Sequence, residues 1–84
     1  MKYRVILPRS IQKGLDRLPD DIAGRILERL RLLESNPRSP DVKKLKGRSA
    51  WRVRVGDYRI IYEIYDREIE VVIITIGHRR EVYR

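Results

Sequence analysis

Between Trp51 and Ile76 the chain reads as three strand-forming segments divided by two short turn signals, and this run narrows the possible folds more than anything else in the sequence. Trp51-Arg52-Val53-Arg54-Val55 alternates strictly, Tyr58 to Tyr65 is rich in aromatic and β-branched residues, and Ile69 to Ile76 is the most strand-prone stretch present. Gly56-Asp57 and Asp66-Arg67 stand where two-residue hairpin turns belong; a leading glycine suits such a turn, and Asp-Arg is less typical. Three such segments form an antiparallel meander whose apolar face needs a second layer to cover it.

The first half supplies that layer. Tyr3-Arg4-Val5-Ile6-Leu7 suits a short first strand stopped by Pro8, with its partner in the sheet left open. Ile11, Leu15 and Leu18 recur on one helix face and Pro19 ends that helix. Asp20 is placed as the N-cap of a second helix whose apolar stripe is Ile22, Ile26, Leu27, Leu30 and Leu33, closed by Ser35-Asn36-Pro37. Gly14 and Gly24 each cost a helix about 1 kcal/mol relative to alanine, so both helices depend on packing. The order β-α-α-β-β-β predicts an α+β fold: two helices packed on one face of a mainly antiparallel four-stranded sheet, in a single domain over residues 1–84.

Composition limits the function classes. With 84 residues, 42% of them hydrophobic, the chain is too apolar for a disordered basic tail and long enough for one small core. It carries 20 Lys+Arg against 12 Asp+Glu, a net charge of +8. No cysteine is present, so disulfides and thiolate metal sites are excluded. With a single histidine, a transition-metal site would need mostly carboxylates, and neither metal nor other cofactor is implied. The longest uncharged stretch, Val71 to His78, is far below the roughly 20 residues of a membrane span. Met1-Lys2-Tyr3-Arg4-Val5 lacks the long apolar region of a signal peptide. The expectation is a soluble cytoplasmic protein that meets a polyanion.

The register of the meander concentrates the charge. Lys43 to Arg59 holds seven basic residues (Lys43, Lys44, Lys46, Arg48, Arg52, Arg54 and Arg59) and one acid, Asp57. With Gly56-Asp57 as the loop, Arg54 opposes Arg59, Val53 opposes Ile60 and Arg52 opposes Ile61. Trp51, Val53, Val55, Tyr58, Ile60, Tyr62 and Ile64, with Ile69, Val71 and Ile73, then form the apolar face. Arg52, Arg54 and Arg59 share the other, with Glu63, Glu70, Val72 and Ile74 farther off. Opposed arginines repel by roughly 0.2–1 kcal/mol, a cost an ordinary solvated face avoids with an Arg-Glu pair. Guanidinium groups gathered on a flat face suit phosphate, because each offers paired donors in a plane and stays charged.

Gly77-His78-Arg79-Arg80 adds a second basic group, with Gly77 letting the chain turn as it leaves the last strand and bringing Arg79 and Tyr83 near Arg54 and Arg59. Tyr83 is either a half-packed terminal aromatic or, with its phenol pKa lowered by positive neighbours, a proton acceptor. His78 is either a hydrogen-bonding surface residue or a catalyst. Trp51 shares parity with Val53 and Val55 and reads as a core anchor.

Leu45-Lys46-Gly47, the run Trp51-Arg52-Val53-Arg54-Val55-Gly56-Asp57-Tyr58-Arg59-Ile60-Ile61-Tyr62-Glu63-Ile64, and Ile76-Gly77-His78-Arg79-Arg80-Glu81-Val82-Tyr83 together resemble the RelE/ParE superfamily of toxins, over essentially the whole chain. The resemblance, to the RelE branch, implies a toxin that is a ribosome-dependent, metal-independent endoribonuclease cutting mRNA in the A site beside 16S rRNA. It also implies inhibition by a cognate acidic antitoxin. Carried over by position, it assigns Arg52, Arg54 and Arg59 to phosphate binding and transition-state stabilisation, and Tyr83 to the base. Arg79 takes charge stabilisation or leaving-group protonation, with His78 a rival acid. Well-known members have lysine where this chain has Arg52 and Arg54, and a guanidinium cannot serve as a base. Lys43, Lys44, Lys46 and Arg48 are left to grip RNA of the ribosome, or, for the lysine run, the acidic antitoxin. Two other readings stand beside this one: a ParE-like toxin that poisons DNA gyrase without nuclease chemistry, and a plain RNA-binding module. The second has only Tyr65, at the far edge of the basic face, as a stacking aromatic.

Overall fold

A computed structural model describes residues 2–78. The elements run β1 (Arg4–Ile6), α1 (Arg9–Asp16), α2 (Asp20–Ser35), β2 (Lys43–Lys44), β3 (Trp51–Val55), β4 (Tyr58–Tyr65) and β5 (Glu70–His78). They form one five-stranded sheet in the order β1-β5-β4-β3-β2. β1 settles the open question of its partner by pairing parallel to β5, with Arg4 opposite Glu70; every other pairing is antiparallel. The α+β arrangement is the expected one, with one strand more.

That extra strand is β2, where Lys43 opposes Arg52 and Lys44 opposes Trp51. The hairpin between β2 and β3 closes on the Leu45 N–H to Ala50 carbonyl bond at 2.9 Å, and Gly47 turns it at φ 69°. A side chain is strained at that φ, so the glycine is the signal that marks the turn.

Leu15 from α1 and Ile26, Leu30 and Leu33 from α2 pack with Val53, Ile60, Tyr62, Val71 and Ile73 from the sheet. These are the parities expected of the apolar face. Two details of the helices differ. Leu27 lies outside the stripe and is 46% exposed, because Ile22, Ile26, Leu30 and Leu33 already complete the buried face. Asp20 is the first helical residue, with Pro19 at the N-cap; Asp20 and Asp21 instead place negative charge in the first turn, where the helix dipole favours it.

The second hairpin departs further. Tyr65 pairs with Glu70, so the loop spans Asp66, Arg67, Glu68 and Ile69, and Ile69 adopts φ 55° in the turn instead of opening the strand. A two-residue type I′ turn needs positive φ at both positions, and of Asp-Arg only the aspartate tolerates it readily, so that turn is disfavoured. The shift is two residues, which preserves faces: Val71 and Ile73 remain in the core. A register irregularity at Ile61/Tyr62 leaves Ile74 as the extra residue of β5, 38% exposed. Gly77 lies inside β5 opposite Arg59, and is not the exit turn read from the sequence.

The segment between α2 and β2 is fastened by polar contacts. The Tyr62 hydroxyl, fully buried, donates to the Pro37 carbonyl at 2.7 Å. Burial holds the Tyr62 phenol protonated well above its ordinary range. Arg38 donates to both oxygens of Asp66 at 3.1 and 2.8 Å and lies 5.7 Å from the Trp51 ring centroid. No described helix is long and apolar enough to cross a membrane.

Candidate functional site

The open face of the sheet is divided by charge. Toward β1 it is built as solvated faces usually are: Arg4 opposes and ion-pairs Glu70, and the Tyr65 hydroxyl donates to Glu63 at 2.7 Å. Toward β2 it carries two like-charged opposed pairs, Lys43 with Arg52 and Arg54 with Arg59. Both pairs repel, and both lie on one face because opposed residues share a side of the sheet. The gathering of four cations on one end of the face suits an anion.

The three arginines sit at graded depth. Arg54 is exposed, Arg52 half-buried, and Arg59 only 4% exposed on the middle strand, where the expectation was an open charged surface. β4 is flanked by strands on both edges, and Ile61 beside Arg59 on the same face is also buried. Opposite Arg59 on β5, Gly77 brings no side chain to the row. Arg54, Gly56, Asp57, Tyr58 and Arg59 line a hollow of about 40 Å³ at the β3–β4 turn. That space has room for roughly three water molecules, the scale of a phosphoryl group. Gly56, at φ 59°, makes the turn that sets Arg54 and Arg59 across from each other.

A second hollow of about 290 Å³ adjoins the first at Arg54, lined by Asp41, Lys43, Arg52 and Arg54. Lys44, Lys46, Gly47 and Arg48 line a shallow surface at the β2–β3 loop. That loop precedes Trp51, whereas Arg54 lies by the far turn of β3, so the two basic groups occupy opposite ends of the strand.

His78 falls elsewhere. It opposes Tyr58, on the helix side of the sheet, with the two rings 5.6 Å apart and nearly perpendicular. The groove beside it is lined by Ser10 and Gly14 of α1 and by Arg17 just after that helix. The sheet thus separates His78 from the arginine face. Arg79 and Tyr83 lie outside the described residues. Trp51 packs against the core, in keeping with its parity. No group of three or more His, Cys, Asp or Glu able to hold a metal ion occurs among the described residues.

Sequence reasoning named Lys43 as an RNA contact but missed its place in the arginine row, for which Gly47 as a hairpin turn was the available signal. It missed Asp41 altogether. Arg29 Nη2 donates to Asp41 Oδ1 and Oδ2 at 2.7 and 2.6 Å, and Ser39 Oγ donates to Oδ1 at 2.6 Å. The Ser39 hydrogen bond, with the Arg29 charge, holds the Asp41 carboxyl below its ordinary pKa.

Two helices on one face of a mixed five-stranded sheet, with an arginine cluster on the other, define a RelE-like toxin domain. The chain belongs to the ParE toxin family of type II toxin–antitoxin systems, whose model matches residues 5–83, and its relatives place it in the RelE branch of the RelE/ParE superfamily. It is 35% identical to toxin RelE of Mycobacterium tuberculosis, across 98% of this chain and 87% of that one. It is 31% identical to toxin RelG of the same organism, across 100% of this chain and 99% of that one. Among solved structures it superposes on the archaeal RelE–RelB complex from Pyrococcus horikoshii with a TM-score of 0.83 at 34% identity, covering 94% of this chain and 97% of that one. The protein is a RelE-like toxin of a toxin–antitoxin pair.

Proposed function

We propose that the protein is a ribosome-dependent endoribonuclease, acting in the cytoplasm on mRNA in the ribosomal A site and held inactive by a cognate acidic antitoxin. The observation that carries this reading is the opposition of Arg54 and Arg59 at a phosphoryl-sized hollow, with Arg52 and Lys43 on the same face. The antitoxin is supported by the solved relative, which is a RelE–RelB complex.

In the reaction the ribose 2′-oxygen bonds to the adjacent phosphorus and the bond to the 5′-oxygen breaks, giving a 2′,3′-cyclic phosphate and a 5′-hydroxyl. Tyr83 takes the 2′-hydroxyl proton as base. Arg52, Arg54 and Arg59 stabilise the dianionic phosphorane with charge-assisted hydrogen bonds. Arg79 stabilises charge at the leaving oxygen or protonates it, and the position of His78 across the sheet from the arginines disfavours His78 for this role. Lys43, Lys44, Lys46 and Arg48 grip 16S rRNA.

Primer extension on mRNA with and without ribosomes tests the proposal; cuts confined to A-site codons are expected. The matching family model carries the ParE name, which keeps gyrase poisoning as the second reading. Intact A-site mRNA together with trapped gyrase complexes would establish that reading instead.

A further inference from the structure

The hollow on the β2 side of Arg54 shares Arg52 and Arg54 with the chemistry just assigned, but its fourth wall, Asp41, has no part in it. At about 290 Å³ the hollow approaches the size of small-ligand pockets, and it shares Arg54 with the phosphoryl-sized hollow at the turn. Three of its lining residues, Lys43, Arg52 and Arg54, are cations; the fourth, Asp41, is an anion. Each of the two hollows has one carboxylate in its lining, Asp57 in the first and Asp41 in the second, and Asp41 is held in place by Arg29 and Ser39. Asp41 does not serve merely as a fastener: its side chain is 63% exposed, while that of its partner Arg29 is 15% exposed. Arg29 and Ser39 both donate to Oδ1, whereas Oδ2 receives only Arg29 among these contacts and keeps acceptor capacity. The carboxyl is thus held ionised and in place by Arg29 and Ser39, and Asp41 lines both this hollow and a second one on the Arg29 side.

We propose that this hollow is a nucleoside subsite next to the cleaved phosphate, in which Asp41 selects a base presenting an exocyclic amino group over one presenting a carbonyl. At the 4-position a carboxylate accepts from the cytosine amino group and repels the uracil carbonyl; because the rings also differ at N3, where cytosine accepts and uracil donates, the selection requires Asp41 to meet the 4-position. The inference rests on the RNA-cleavage reading, and its test is separate from cleavage.

Uncleavable 2′-O-methyl trinucleotides differing only in a central cytosine or uracil are titrated into the full chain, with binding followed by backbone amide chemical shifts. The wild type is expected to favour cytosine about tenfold, the scale of one hydrogen bond to a charged group, with shifts around Asp41, Lys43 and Arg52. Asp41→Asn, whose amide can turn either its oxygen or its NH₂ to the base, is expected to bring the ratio close to one. Ser39→Ala, which loosens the same loop but keeps the carboxylate, is expected to retain it. Equal binding of the two bases by the wild type, a ratio unchanged in Asp41→Asn, a ratio lost equally in Ser39→Ala, or no shifts around the hollow at millimolar RNA would each overturn the subsite. A chain that discriminates the bases but leaves ribosome-bound mRNA intact would overturn the nuclease reading alone.

Discussion

Replacing Arg54 with glutamate is expected to stabilise the fold while abolishing toxin activity. Arg54 and Arg59 are opposed across β3 and β4, so the wild type carries a like-charge cross-strand pair and the variant an attractive one. Removing the repulsion and adding an attraction each contribute roughly 0.2–1 kcal/mol, a combined gain of about 0.4–2 kcal/mol. Arg59 is 4% exposed, which weakens solvent screening and favours the upper half of that range. For an 84-residue chain, an unfolding entropy of about 2.1 cal/mol/K per residue converts the gain into a rise in Tm of roughly 2–11 °C. Circular dichroism melts at low and high ionic strength measure it, and the difference between the proteins is expected to shrink as salt screens both pairs. The reverse change at the other end of the face, Arg4→Glu opposite Glu70, is expected to lower stability, by no more than about 1 kcal/mol at so exposed a site. Activity follows a different logic: Arg54→Glu puts a negative charge where phosphate is to bind, and mRNA cleavage is expected to vanish. A variant that melts at or below the wild-type temperature would refute the claim that this arginine pair is held against its own repulsion.

Arg59→Ala and Tyr83→Phe are each expected to abolish toxicity in a growth assay while circular dichroism still reports a folded chain; full toxicity in either would mean the site is wrongly assigned. Tyr62→Phe strips the buried Pro37 carbonyl of its donor and is expected to cost about 1–3 kcal/mol in urea denaturation, with trinucleotide binding at the arginine face retained. The hydrogen bonds from Arg38 and Tyr3 hold the Asp66 carboxyl below its ordinary value of 3.8, so their stabilisation is present above that pH and is lost as pH falls through the lowered pKa. Asp66→Asn is therefore expected to flatten the acid limb of a stability–pH curve, and an unchanged limb would count against the pairing. Lys46→Gln with Arg48→Gln is expected to weaken ribosome binding and make it less steeply salt-dependent, as measured by filter binding across a salt series, with no change in melting temperature.

Elements built on a strong period were legible from residues alone. The strict alternation of Trp51 to Val55, joined to Gly56-Asp57, specified every partner across β3 and β4, including Arg54 against Arg59. The helix stripes were legible for the same reason, apart from Leu27, whose exposure depends on how the buried face is shared among its neighbours. β2 is two lysines long, too short for any periodicity, and it exists because the edge of β3 is there to receive it. The longer second loop likewise follows from what Tyr65 and Glu70 find as partners.

The same division runs through the site. Local patterning was sufficient to gather Arg52, Arg54 and Arg59, because alternation and a tight turn are short-range constraints that need no knowledge of the rest of the fold. The burial of Arg59, the position of His78 across the sheet and the arrival of Asp41 beside Arg54 are long-range outcomes. They depend on which strands flank β4 and on α2 carrying Arg29 to a loop twelve residues onward, and spacing along the chain encodes neither.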